Sequence, residues 1–442
     1  MSSLRLVALF FCAAACGEVK KLPDGGGGNG DGNIGGPCTA NTVTCANNVV
    51  TVCNASGMVE SESMCGPLGC ASTGDRCNLF QPSNGVATEL DDAANGPSIT
   101  LNDVTPDTVI NSDTGDVTHN GAPLTIPSVL KTQTGAPSLR VFKVKDLTIQ
   151  NNVVITGSNA IAFVASGKIE VAAFIDLGAK WKAPAAGAFQ SGTCNGVDGT
   201  TVGLPSSGPR SPGTGGGGLG LNGAKGGNGV SSYGTAFGTN GGIPAGTVDL
   251  QPLRGGCRGG NIASSDAYFA NEGGAGGGAI QLTSSTQIVI AATGIINVGG
   301  GGGDFGKSGT GGGSGGGILL EAPDIVVDGT IAANGGGGSC LNEDGENGQY
   351  AYRLGSLAAL GGGRDGGCTT TDGAGGIGGT KDNSPGIGQN GTGCTTGGAY
   401  CSGGGGGGAV GRIRVNSATG SFTKGSASLV SPIASEATLV VR

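Results

Sequence analysis

Residues 311–338 read GGGSGGGILLEAPDIVVDGTIAANGGGG: two short aliphatic and β-branched runs, 318–321 and 325–333, bracketed by tracts with almost no side chains. Glycine offers nothing to pack and loses more backbone freedom on ordering than any other residue. With 98 glycines, the chain is about a fifth glycine, against roughly 7% in ordinary globular proteins. A single large globular core is therefore not expected. The thin Ile, Val and Leu runs must find one another while the glycine between them goes elsewhere.

The same phrase recurs. Residues 162–179 (AFVASGKIEVAAFIDLGA), 279–303 (AIQLTSSTQIVIAATGIINVGGGGG) and 317–338 align on Ile169, Ile288 and Ile325. Each supplies I-x-[VI], a small-residue turn, a second apolar run and then small or glycine-rich chain. A fourth, partial copy at 403–422 again leads a glycine run into a strand. Further β-rich runs lie at 108–110, 139–144, 147–149, 153–155, 160–164, 168–171 and 174–177, punctuated by Gly and Asn. Helical periodicity is nearly absent, with at most a turn or two at 354–360.

A strand–turn–strand unit cannot bury its apolar face alone, but stacked copies share one continuous apolar strip. The expected fold is all-β: a parallel β-helix or related solenoid over 96–442, with a β-sandwich as the alternative. Solenoid rungs are shorter than the repeat intervals, so 191–278, 299–317 and 335–408 are read as insertions. Gly373, Gly376 and Gly379 recur at every third residue, which suits extended, left-handed helices of the polyglycine-II kind with three residues per turn.

At the N-terminus, residues 1–5 carry one positive charge and 6–15 are apolar, too short for a membrane-spanning helix. This reads as a signal peptide over 1–15. The small residues before Cys16 resemble a bacterial lipobox, with Ala13 in place of its preferred Leu. The resemblance implies acylation of Cys16 and a membrane contact through lipid alone. Residues 16–37, with DGGGGNGDGN, form a flexible tether.

Fourteen cysteines, less Cys12 and Cys16, leave twelve in an exported chain, which favours disulfides over metal. Cys38, Cys45, Cys53, Cys65, Cys70 and Cys77 define a small module over 38–77 that is too short to hold together without staples. Their connectivity is open among fifteen arrangements. Cys194, Cys257, Cys340, Cys368, Cys394 and Cys401 fall in the insertions and are expected to form three crosslinks there. Residues 78–95 read as a polar linker.

Several patterns imitate chemistry. GGGDFGKS at 301–308 matches the phosphate-loop pattern, but five residues of Gly and Thr follow where a helix must begin. GGSGG at 312–316 matches a nucleophile elbow, yet the only histidine, His119, lies far upstream. Asp304 and the run 342–347 (NEDGEN) are oxygen-rich and read as a solvated acidic turn before a Ca²⁺ loop. Carboxylates able to serve a polysaccharide hydrolase or lyase are Glu170, Asp176, Glu321, Asp324 and Asp328. Solvent-facing strand positions account for them, and no catalytic residue, metal ligand or cofactor is assigned. A net charge of −8 without a basic block argues against nucleic acid.

The order of lipobox-like start, glycine tether, six-cysteine module and phrases LRVFKVKDLTI, VVITGSNAIAFVASGKIEV, GGGSGGGILLEAP and GGGGGGAVGRIRV resembles a group of glycine-rich surface lipoproteins of Gram-negative bacteria. These are sometimes labelled PE-PGRS-like, although the N-terminal PE-type helical domain is not visible here. The group brings no established activity or site residues; the export signal, the disulfides, the repeats and the missing catalytic groups point to a non-enzymatic envelope lipoprotein with a structural, adhesive or matrix-contact role. The expected partners are the membrane, through lipid, and an extracellular polysaccharide or surface protein, with no nucleotide. A carbohydrate-active β-helix enzyme is the alternative.

Overall fold

A computed structural model describes residues 38–442, apart from 104, 190–191, 201–210, 233, 264–270, 307, 349–357, 363–367, 369–370 and 395–399. The segments expected to be a signal peptide and a tether, with Cys16, and most of the helical turn expected at 354–360 lie outside the described residues. The chain is all-β, and its one α-helix among the described residues is Ala87–Asp92.

Three long sheets hold the apolar runs. The first contains Leu139–Val144, Ala160–Ala165, Ala279–Ser284, Gly317–Glu321, Arg412–Ser417 and Ser435–Thr438, all parallel. The second contains Ile99–Leu101, Leu147–Ile149, Ile169–Val171, Gln287–Ile290, Asp324–Val327 and Thr423–Lys424, again parallel. The third stacks Thr108–Asn111, Val153–Thr156, Phe174–Asp176, Ile295–Asn297, Thr330–Ala332 and Leu429–Ser431. Each pass of the chain lays one strand on the first sheet, one on the second and one on the third, then returns. This parallel pairing differs from the antiparallel ladders on which the sandwich alternative rests. Among the described residues, antiparallel pairs occur in the cysteine module, at the start of the stack and beside residues 229–236.

Register follows the repeat. Ile169 pairs with Ile288, and Ile288 with Ile325, so the three aligned isoleucines form one ladder. One boundary differs from the expectation: the run 325–333 is cut by Asp328 and Gly329 into strands on two sheets. Inside the three sheets, alternate side chains form the main core, including Phe142, Phe163, Ile169, Ile288, Ile325 and Ile331. Phe142 and Phe163, register partners on the first sheet, stack with ring centroids 5.4 Å apart.

The first sheet is buried on both faces. Its outward residues Leu139, Val141, Ala160, Ala162, Val164, Ala279 and Leu319 pack beneath Phe80, Val86, Leu90 and Ala93. Residues 78–95 are thus not a polar linker. They form a cap of short helices, Ser83–Gly85, Ala87–Asp92 and Ala93–Asn95, from which Leu90 and Ala93 are buried against the sheet. The C-terminus closes on this cap, with reciprocal backbone hydrogen bonds between Leu79 and Arg442 and an Arg442–Asp91 ion pair.

Insertions occupy 177–278, 298–316 and 333–411. All three leave the third sheet and return to the first, so one corner of the stack extrudes all the glycine. There the tracts run side by side and satisfy their backbone groups between neighbours: Gly217 N–H donates to Gly312 O, and Gly312 N–H to Gly406 O. Facing residues advance by three. A Cβ on Gly312 would overlap the Gly336 carbonyl and one on Gly315 the Ala333 carbonyl, while Gly313 faces Ala275 and Gly316 faces Gly278. Gly373 and Gly376 face Gln389 and Gly386 in the same manner.

Disulfides pin both regions. The small module pairs Cys38 with Cys53, Cys45 with Cys70 and Cys65 with Cys77. Within the insertions Cys194 pairs with Cys257, Cys340 with Cys368 and Cys394 with Cys401.

Candidate functional site

Because the insertions share one exit corner, residues far apart in sequence meet on the edge of the glycine layer. Trp181 belongs to the first insertion, Asp304 and Phe305 to the second, and residues 342–347 to the third. Trp181, Phe305 and residues 342–347 together line an open cleft of about 570 Å³. Both rings are half exposed, at 52% each, in a chain with only one tryptophan.

The 342–347 turn holds the two aromatic residues in place. Asn347 Oδ1 accepts the Trp181 N–H at 2.8 Å and the Gly302 N–H at 3.0 Å. Asp344 Oδ1 accepts the Phe305 N–H at 2.6 Å. Trp181 takes a left-handed φ of 49°, a conformation bulky residues rarely adopt, and the Asn347 contact supports it. On the third-insertion side, Glu346 accepts the Leu360 N–H at 3.0 Å.

The cleft is negative. Burial pushes the Asp344 carboxyl above the usual carboxylate range; the Phe305 amide opposes this, while Asp304 and Glu343 add to it by repulsion and Asp304 further by accepting a hydrogen bond from the protonated Asp344. Lys182 lies 3.7 Å from Asp304 and offsets part of the charge. The oxygen-rich run therefore serves chiefly as a bracket for backbone amides. Among the described residues the one group of Cys, His, Asp or Glu with converging ligand atoms is Cys45, Cys65 and Cys70, whose sulfurs are engaged in disulfides.

The carboxylates singled out in the sequence are not gathered. Glu170, on the second sheet, pairs with Lys168 at 2.8 Å. Asp176, on the third, accepts from Asn297 at 3.0 Å and from the Gly178 amide at 2.9 Å. Asp324 is exposed and accepts from Gln287 at 2.5 Å, and Asp328 packs against Gly425. Glu321 is buried beneath the cap and receives Ser83, Gln281 and Asn416. Burial pushes its carboxyl up, against the pull of those donors.

The patterns that imitated chemistry have structural roles. Ser314 is fully buried and its Oγ accepts the Cys257 N–H at 2.9 Å. His119 bonds to Thr108 at 2.8 Å. Residues 301–306 are irregular chain within the glycine layer, with no helix after them among the described residues; Lys307 lies outside these. Sequence reasoning had marked Asp304 and 342–347 but not Trp181 or Phe305, since nothing local links them. No helix of the described residues is long and apolar enough to cross a membrane. Comparison with protein-family models, with curated proteins and with solved structures finds no match to this chain.

Proposed function

We propose that the chain is a non-enzymatic lipoprotein of the bacterial envelope, acylated on Cys16 and carried on the outer membrane. In this reading the three stacked sheets are a parallel β-helix, and the insertions are a polyglycine-II-like layer it holds out for structural, adhesive or matrix contact. The observation that supports it is the common exit corner. Three insertions, the first crosslinked by one disulfide and the third by two, pack edge to edge into a layer in which few positions admit a side chain. Such a layer is a stiff plate, suited to display and contact. Disulfides of this number also suit an oxidising compartment.

A polysaccharide-cleaving enzyme would need two carboxylates facing one substrate. The binding reading is favoured because Glu321 is enclosed under the cap while Glu170 and Asp176 lie on different sheets.

Two measurements on producing cells test the proposal. A fatty-acid analogue is expected to label the wild-type chain and leave Cys16→Ala unlabelled; equal labelling overturns the anchor. Protease added to intact cells is expected to remove the protein, and its persistence overturns surface display.

A further inference from the structure

We infer that the cleft between Trp181 and Phe305 binds a glycan of positively charged amino sugars. The inference deepens the matrix-contact reading above and rests on it.

The cleft joins two features that seldom coincide by chance in this chain. Aromatic residues make up only 4% of the sequence, yet two of them line one open groove with their rings half exposed. Exposed aromatic faces in a groove provide flat apolar surface for the C–H face of a pyranose ring, and their π-clouds attract cations. The same cleft is lined by Glu343, Asp344 and Glu346, and the Asp304–Lys182 ion pair lies outside this lining. Carboxylates only accept hydrogen bonds when ionised, so the preferred occupant carries hydroxyl and ammonium donors. A uronic-acid polymer would bring like charge into a negative groove. A hexosamine with a free amine offers the apolar ring face, the hydroxyls and the positive charge together.

Asn347 and Asp344 accept the Trp181 and Phe305 amides and so fix the backbone from which both aromatic side chains project. A sugar chain differs from a basic peptide in offering a flat C–H ring face to Trp181 and Phe305.

Trp181 is the sole tryptophan, so its emission reports this cleft alone. Purified mature protein is titrated with glucosamine oligomers, N-acetylglucosamine oligomers, oligogalacturonate and oligolysine. Glucosamine oligomers are expected to change the emission saturably, with affinity that falls as salt rises. Oligogalacturonate is expected to give no change, and N-acetylglucosamine oligomers to bind more weakly. Phe305→Ala and Asp344→Asn should each weaken glucosamine binding roughly ten-fold, the latter with a shallower salt dependence. The asparagine keeps an oxygen for the Phe305 amide, so its fold is retained. The inference is overturned by no emission change, by oligolysine binding as tightly as glucosamine, by equal affinity for the N-acetylated oligomer, or by wild-type affinity in both variants. A failed titration alongside positive acylation and protease results removes the ligand and leaves the envelope reading standing.

Discussion

Glu321 and Ser83 are joined across 238 residues: the Ser83 hydroxyl donates to Glu321 Oε1 at 2.7 Å and its amide to Oε2 at 3.1 Å. The contact fastens the helical cap to the first sheet. Gln281 and Asn416 donate to the same carboxylate from neighbouring strands, each at 2.9 Å. Glu321→Ala strands these donors in a buried site, and is expected to cost about 3 kcal/mol, read as a lowered Tm. Unchanged stability would mean that the cap is not held here.

The same group sets a pH dependence. Burial first, against the donors, raises the Glu321 carboxyl in the folded state above its ordinary value of 4.5. Above that value the unfolded chain has released a proton that the folded chain still holds. This group's contribution to stability is therefore full at pH below 4.5 and declines as pH rises through the interval up to the folded value. Thermal melts of wild type and Glu321→Gln should show wild type losing stability relative to the variant over that interval. Parallel curves would contradict the assignment.

Ile288 lies in the middle of the ladder between Ile169 and Ile325 and is fully buried. Ile288→Ala should cost about 2–5 kcal/mol by opening a cavity in the main core. Its neighbour Val289 points outward and is half-buried, so Val289→Ala should cost less than half as much. Denaturant midpoints for the two variants decide whether this ladder carries the fold.

Glycine substitutions should divide by position. A Cβ on Gly312 would overlap the Gly336 carbonyl, whereas one on Gly66 meets nothing within 4 Å. Gly312→Ala is expected to destabilise by about 3 kcal/mol, since backbone cannot move aside as a side chain can. Gly66→Ala should leave the unfolding free energy within about 0.5 kcal/mol of wild type. Hydrogen exchange would localise the first effect to the insertions.

Cys194 and Cys257 close a 63-residue span, and the buried Arg254 guanidinium stacks on Phe189 while donating to both sulfurs. By chain entropy the crosslink is worth about 4 kcal/mol. A Cys194→Ser, Cys257→Ser double variant should be cut by protease within 177–278 well before wild type. The unreduced, unfolded wild-type chain should show no thiol among the twelve cysteines from Cys38 to Cys401.

Much of the strand stack was legible because its information is local and periodic. Leu139–Val144 and Leu147–Ile149 read as two apolar, β-rich runs parted by the charged pair Lys145 and Asp146. Aligning Ile169, Ile288 and Ile325 amounted to stating a register, because an inward-facing isoleucine can share the core only with its equivalent in the next pass. The cap was missed for the opposite reason. Phe80, Val86, Leu90 and Ala93 are too sparse to make a pattern, and their burial depends on the outward face of a sheet whose strands come later in the chain.

The sequence by itself determined that the chain is all-β, that its strand phrases repeat, and that its glycine must lie outside the core. Only tertiary structure decided that all three insertions leave by one corner, which cysteines pair, and that 311–338 bridges the three parallel-stranded sheets and the glycine layer. Contacts inside that layer run backbone to backbone, and glycine residues are chemically alike, so no local signal says which tract neighbours which. The meeting of Trp181, Phe305 and Asp344 is a product of that shared corner, set by the path of the backbone and by no motif.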